Sequence, residues 1–113
     1  MNLARELQDY LIRVTAPFAW AHHNCAHFSN GWVRQRRGID CMAGVPQVGS
    51  AKQALRLVRQ LGGYVEAVSE RLGSQPVPAK QLRLGDLVLY PLAHGAQALG
   101  IVAGRQVALL DQQ

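Results

Sequence analysis

The seven residues "SQPVPAK", Ser74 to Lys80, separate two kinds of pattern in this chain and so limit the folds open to it. Pro76 and Pro78 lock the backbone and remove two amide donors, which rules out a regular helix across the segment. Before it, apolar residues recur at helical spacing. After it, they run in short strand-like blocks. Leu3, Leu7, Leu11 and Val14 fall on one helical face, and Pro17 stops that helix near Thr15. Asn24 is a good N-cap for a second helix, which carries Cys25, Phe28 and Trp32 on one face and closes at Gly38. "GIDCMAGVPQVG" then reads as a connecting loop. Ser50 caps a third helix with Ala51, Ala54, Leu55, Val58 and Leu61 as its stripe, ended by Gly62 and Gly63. A short fourth helix carries Val65, Val68 and Leu72 and stops at Gly73.

Beyond the proline segment, "DLVLYP", "ALGIVAG" and "QVALL" read as strands, the last two joined by a tight turn at Gly104 and Arg105. The fold class expected is α+β, with N-terminal helices packed on a small C-terminal antiparallel sheet. A length of 113 residues suits a single domain over residues 1–113 with one core. The strands are apolar along most of their length. A face or edge is therefore expected to expose Leu, Ile and Val and to meet another chain, through Ala98 to Gln113 or the basic stretch Arg34 to Arg37.

Twelve basic residues against seven acidic give a net charge of +5, densest in "VRQRRG". That balance favours anionic partners such as nucleic acid, wall polymers or acidic protein faces. Arg34, Arg36 and Arg37 also suit a plain helix end, where cations meet the negative end of the dipole. A small basic nucleic-acid-binding protein is the alternative the charge suggests, but no aromatics interleave with the arginines and no binding motif is present. No apolar run approaches the roughly 18 residues that cross a bilayer. The N-terminus lacks the basic start and unbroken apolar core of a secretory signal, so synthesis and retention in a cytoplasm are expected. In that compartment, two cysteines 16 positions apart read as free thiols.

"FAWAHHNCAHFSNGWV" places His22, His23 and His27 around Cys25 at a helix start. Amide N–H groups and the positive end of the dipole favour a thiolate there, which covalent catalysis by sulfur needs together with a base in reach. Packing as a small hydrophobe against Phe28 and Trp32 is the commoner fate of a free cysteine. Zinc is a third option, but the histidines and cysteines supply no two ligand pairs at structural-zinc spacing. His27, two positions beyond Cys25, points away from its face of the helix.

In order, this helix-borne cysteine, "LRLGDLVLYP" and "ALGIVAG" resemble the nucleophile segment, the Gly-Asp strand and the following Gly-Ile strand of NlpC-like papain-fold cell-wall cysteine peptidases. With "AKQALRLVRQLGG" between them, the chain is similar to a small phage branch found among tail-tip genes. The resemblance implies a papain-like fold in which Cys25 attacks an amide of the peptidoglycan stem peptide. It implies a histidine base on the second strand and a polar residue on the next to orient it. The base position holds Ala98. His94, four residues earlier in "LAHGAQ", is the remaining candidate, with Asp111 or Gln112 in "LLDQQ" as the orienting group. Trp20, His23 and Asn24 beside the nucleophile, and Arg34, Arg36 and Arg37 on the helix end, are the binding residues. No metal or cofactor is implied. The protein is then expected in the virion, at the tail tip or baseplate among other tail proteins, after synthesis in the bacterial cytoplasm. There it either cuts a stem-peptide amide during entry or serves as a catalytically degraded plug or adaptor.

Overall fold

Asn2 opens the first helix, its side-chain oxygen taking the Arg5 N–H at 3.2 Å. The computed structural model of the protein describes residues 2–92 and 97–110. Four helices come first: α1 (Leu3–Arg13), α2 (Cys25–Arg37), α3 (Ala51–Gln60) and α4 (Tyr64–Leu72). A single 3-10 turn at Ala79–Gln81 interrupts the proline segment, and three strands follow, β1 (Leu87–Pro91), β2 (Gln97–Ala103) and β3 (Gln106–Ala108). The expected α+β order is therefore present, helices before sheet. No helix among the described residues is long and apolar enough to cross a membrane.

The core forms where α1 and α2 cross above the sheet. Leu7 and Tyr10 of α1 meet Phe28 and Trp32 of α2, and Ile101 of β2 closes the cluster with no exposed surface. Burying apolar side chains of this size stabilises the fold by about 1.5–3 kcal/mol each. The Tyr10 ring lies 5.9 Å from Phe28 and 5.6 Å from Trp32, both tilted, and its hydroxyl donates to the Phe28 carbonyl. Trp32 donates its indole N–H to the Gly85 carbonyl at 2.8 Å, tying α2 to the turn that starts β1. That turn explains the Gly-Asp pair. Gly85 sits at φ 89°, with Trp32 so close that a Cβ would lie 3.3 Å from the ring, while Asp86 accepts the Arg83 N–H at 2.9 Å.

The sheet is antiparallel in the order β1-β2-β3, with Leu87 opposite Ile101, Leu89 opposite Leu99, and Ile101 opposite Ala108. Val102 donates to the Asp86 carbonyl at 2.8 Å, which sets the phase of the ladder. Alternate β2 residues bond to β1, while Leu99 and Ile101 turn their N–H and C=O the other way. Ile101 finds β3 there, but Leu99 lies beyond the end of that short strand. Two side chains of α2 serve instead: Leu99 donates its N–H to Cys25 Sγ at 3.5 Å and accepts from Ser29 Oγ at 3.0 Å. Residues four apart on a helix lie one above the other, so Cys25 and Ser29 reach both groups of one strand residue.

The alternation along β2 also gives the facing of Ala98, the position where the resemblance places the base. Leu99 and Ile101 face α2, so Ala98 belongs to the opposite face with Gly100 and Val102. The backbone at this position is nonetheless close to the thiol, since the Leu99 N–H lies 3.5 Å from Cys25 Sγ. On β2 the apolar residues Ala98, Leu99, Ile101 and Val102 are all buried, while Leu87, Val88 and Leu89 of β1 and Val107 of β3 are half-buried. Among the described residues the exposed large apolar side chains are Ile12, Leu55, Val65 and Val77, on helices and linker, and Tyr90 on β1. The segment from β3 into Leu109 packs against Gly100. A Cβ at Gly100 would lie 2.7 Å from Val107 Cγ1 and 2.9 Å from the Ala108 carbonyl oxygen. Gly100→Ala is therefore expected to destabilise the protein by about 1–3 kcal/mol, the range for overpacking a tight site. Urea unfolding measures this, and an unchanged midpoint would show that the segment does not pack against Gly100.

Candidate functional site around Cys25

Asn24 builds the start of α2. Its side-chain oxygen accepts the N–H groups of Ala26 (2.9 Å) and His27 (3.1 Å), and its amide donates to the Trp20 carbonyl at 3.0 Å. His27 replies by accepting the Asn24 N–H on Nδ1 at 3.2 Å, which completes a reciprocal capping box. The loop before the cap is closed by a backbone bridge between Ala19 and His23, with Phe18 and Trp20 stacked edge-on at 4.9 Å. Cys25 is thus the first residue of a firmly capped helix.

Among the described residues its sulfur has two polar neighbours, the Leu99 N–H at 3.5 Å and the Tyr64 hydroxyl at 3.7 Å. Burial raises the Tyr64 phenol well above its usual range, so it remains neutral near pH 7. A neutral phenol can donate to sulfur or to a ligand, but it takes no proton from a thiol. No periodic signal along the chain marks this contact, since Tyr64 comes from the start of α4, 39 residues away.

The histidines near Cys25 have other occupations. His27 is held by the cap, and His23 Nδ1 lies 3.4 Å from the Pro17 carbonyl, its ring edge-on to Phe28. His22 Nδ1 lies 3.4 Å from the Gln47 amide. Two of the amide N–H groups at the helix start, the kind that cradle a developing oxyanion, are already taken by Asn24. His94, Asp111 and Gln112 lie outside the described residues. Among the described residues, no three His, Cys, Asp or Glu side chains gather as they would around a metal ion.

Cys25 also lines an apolar cavity of about 130 Å³ between α2, α3, α4 and the loop that follows α2. Trp20, Asn24 and His27 border it from the same end of the helix. Asn30 fixes the loop, accepting the Cys41 N–H at 2.7 Å and donating to Asp40 at 2.9 Å. That hydrogen bond, with another from the Met42 N–H, holds the Asp40 carboxyl below its usual range. Burial pushes the Cys41 thiol up.

At the far end of α2 the basic cluster is exposed, and two of its arginines also bond to the protein. Arg36 pairs with Glu6 at 2.6 Å and lies over the Trp32 ring, and Arg37 donates to the Leu72 carbonyl at 3.2 Å. Arg34 is exposed. Two of the three arginines therefore fasten α2 to α1 and α4, which suits a helix end better than a row of phosphate contacts.

The chain belongs to a family described as a domain of unknown function (DUF6950), whose model matches residues 2–113. No curated protein and no solved structure matches it.

The capping box makes the helix start sensitive to acid. Burial lowers the His27 pKa first, and the neighbouring His23 and His22 lower it further. A histidine depressed in the folded state binds fewer protons than in the unfolded chain, so its contribution is complete above about pH 6.5 and is lost as pH falls through that value. His27→Gln keeps an acceptor at the third helical position without a titrating ring. Thermal unfolding at pH 7, 6 and 5 is expected to show a smaller loss of Tm in His27→Gln than in the parent. Equal losses would mean that His27 does not carry the effect.

Proposed function

We propose that this protein is an NlpC-like papain-fold component of a phage or prophage tail tip, in which Cys25 holds architecture rather than cleaving peptidoglycan. The observation that carries the reading is the engagement of Cys25 Sγ by the Leu99 backbone N–H on the middle strand of the sheet. A helix-borne cysteine set against the central strand, with a Gly-Asp turn opening the strand before it, supports kinship with the papain-like peptidases. What surrounds the sulfur supports a structural role. Among the described residues its neighbours are a strand amide and a neutral phenol, the nearby His27 serves the helix cap, and two of the helix-start donors belong to Asn24.

General-base assistance is worth about 10²- to 10⁴-fold in such chemistry, so a sulfur without it is a poor peptidase even when partly ionised. In the proposed setting the protein acts as a plug or adaptor. Its partners are other tail-tip or baseplate chains, met through acidic faces that suit Arg34 and the basic end of α2. Peptidoglycan peptides are the substrate class only if the site turns over.

The test pairs an activity assay with an assembly assay. Purified protein incubated with purified peptidoglycan is expected to release no more soluble fragments than buffer alone. Co-expression with the genes flanking its own is expected to yield a stable complex that weakens when Arg34 is replaced by Glu. Hydrolysis that disappears in both Cys25→Ala and His94→Ala would overturn the structural role and make the protein a peptidase. A monomer that joins no flanking product would remove the tail-tip placement.

A further inference from the structure

The cavity beside Cys25 has more apolar wall than the fold's own packing uses. Val48, Leu57, Val58, Leu61 and Val68 face it, yet α3 has no fully buried residue along a stripe that is apolar throughout. At about 130 Å³ it is close to the cavity of roughly 150 Å³ that, lined by aliphatic side chains, admits a benzene ring. The polar groups on its wall are not equally committed. Asn24 spends its side chain on the helix cap, and Asn30 spends its own on Asp40 and the Cys41 N–H. Among the described residues Tyr64 bonds only sulfur, at 3.7 Å, and a thiol is a weak acceptor. An oxygen acceptor brought into the cavity would give that hydroxyl a stronger partner.

We infer that this cavity binds a compact, uncharged, mainly apolar organic molecule, about the size of a substituted benzene ring, whose single oxygen acceptor takes the Tyr64 hydroxyl. Its apolar body lies against Leu57, Val58 and Leu61 of α3, and Cys25 forms part of the wall it covers. A charged ligand is disfavoured, because burial there costs its hydration and Arg71, the one cation on the wall among the described residues, already turns to the Ala43 carbonyl at 3.5 Å. The site stands apart from the tail-tip reading and needs no turnover at Cys25.

Three probes test it on the intact protein: benzene, acetophenone and benzoate. Acetophenone and benzene are expected to raise Tm saturably, by about 4–8 °C at ten times their Kd, while benzoate leaves it unchanged. Saturating acetophenone should slow iodoacetamide labelling of Cys25, followed by peptide mass spectrometry, by about fivefold or more. Tyr64→Phe is expected to weaken acetophenone binding about fivefold and leave benzene binding as it was, since only the carbonyl probe uses the hydroxyl. Ala54→Leu, which fills the space from α3, should abolish binding of both. If that variant fails to fold, the protection of Cys25 in the parent protein decides. The inference is overturned if neither neutral probe gives a saturable rise, if benzoate binds as well as acetophenone, or if Cys25 labels at the same rate with and without ligand.

Discussion

A strand whose neighbour ends early leaves a backbone N–H and C=O that must find partners elsewhere if they are buried. At Leu99 both come from one helix, Cys25 supplying the acceptor and Ser29 the donor. The rest of the fold is arranged around that junction. To bring two side chains four residues apart against a single strand residue, α2 must start beside β2 and run across the sheet. This crossing sets Phe28 and Trp32 over Ile101, where α1 adds Leu7 and Tyr10. Asn24 and His27 fix where α2 starts, and therefore where Cys25 stands.

The same junction accounts for the conflict between how Cys25 looks and what surrounds it. A cysteine at a helix start beside a strand has the placement of a nucleophile, and a thiol bonded to that strand's amide has the work of a structural acceptor. Both descriptions apply to one atom. What separates them is the remainder of the site: a reactive sulfur needs a base and free donors for the developing charge. Here Tyr64 is a neutral phenol, and Asn24 already holds two helix-start amides. Tyr64 and the α3 stripe, for their part, line the cavity beside the sulfur.

Helix starts and stops were legible because they depend on local chemistry. Asn24, Ser50, Gly38 and Gly73 act within a turn of their own positions, and the helices begin and end beside them. The strands were legible because the apolar pattern changes period after Pro78, and the tight turn at Gly104 and Arg105 joins β2 to β3 as expected. What escaped was the parity of β2. A stretch buried on both faces shows no alternation, so nothing in "ALGIVAG" tells which of Ala98 and Leu99 faces the helix. The Tyr64 contact and the Asn30 link to the Asp40 turn escaped for another reason. Each joins residues on different elements, and spacing along the chain carries no trace of such a meeting.

The account depends most directly on the Leu99 amide being closed off by α2 at a place where β3 does not reach. Native-state hydrogen exchange measures that amide alone, and its rate reports the opening of the junction. In the intact protein Leu99 is expected to be protected to a degree comparable with Val102, whose N–H is bonded within the sheet, and Cys25→Ala should lower the protection of Leu99 more than that of Val102. Exchange at Leu99 as fast as at the exposed Arg105 turn, or protection unaffected by Cys25→Ala, would contradict the claim that α2 completes the sheet.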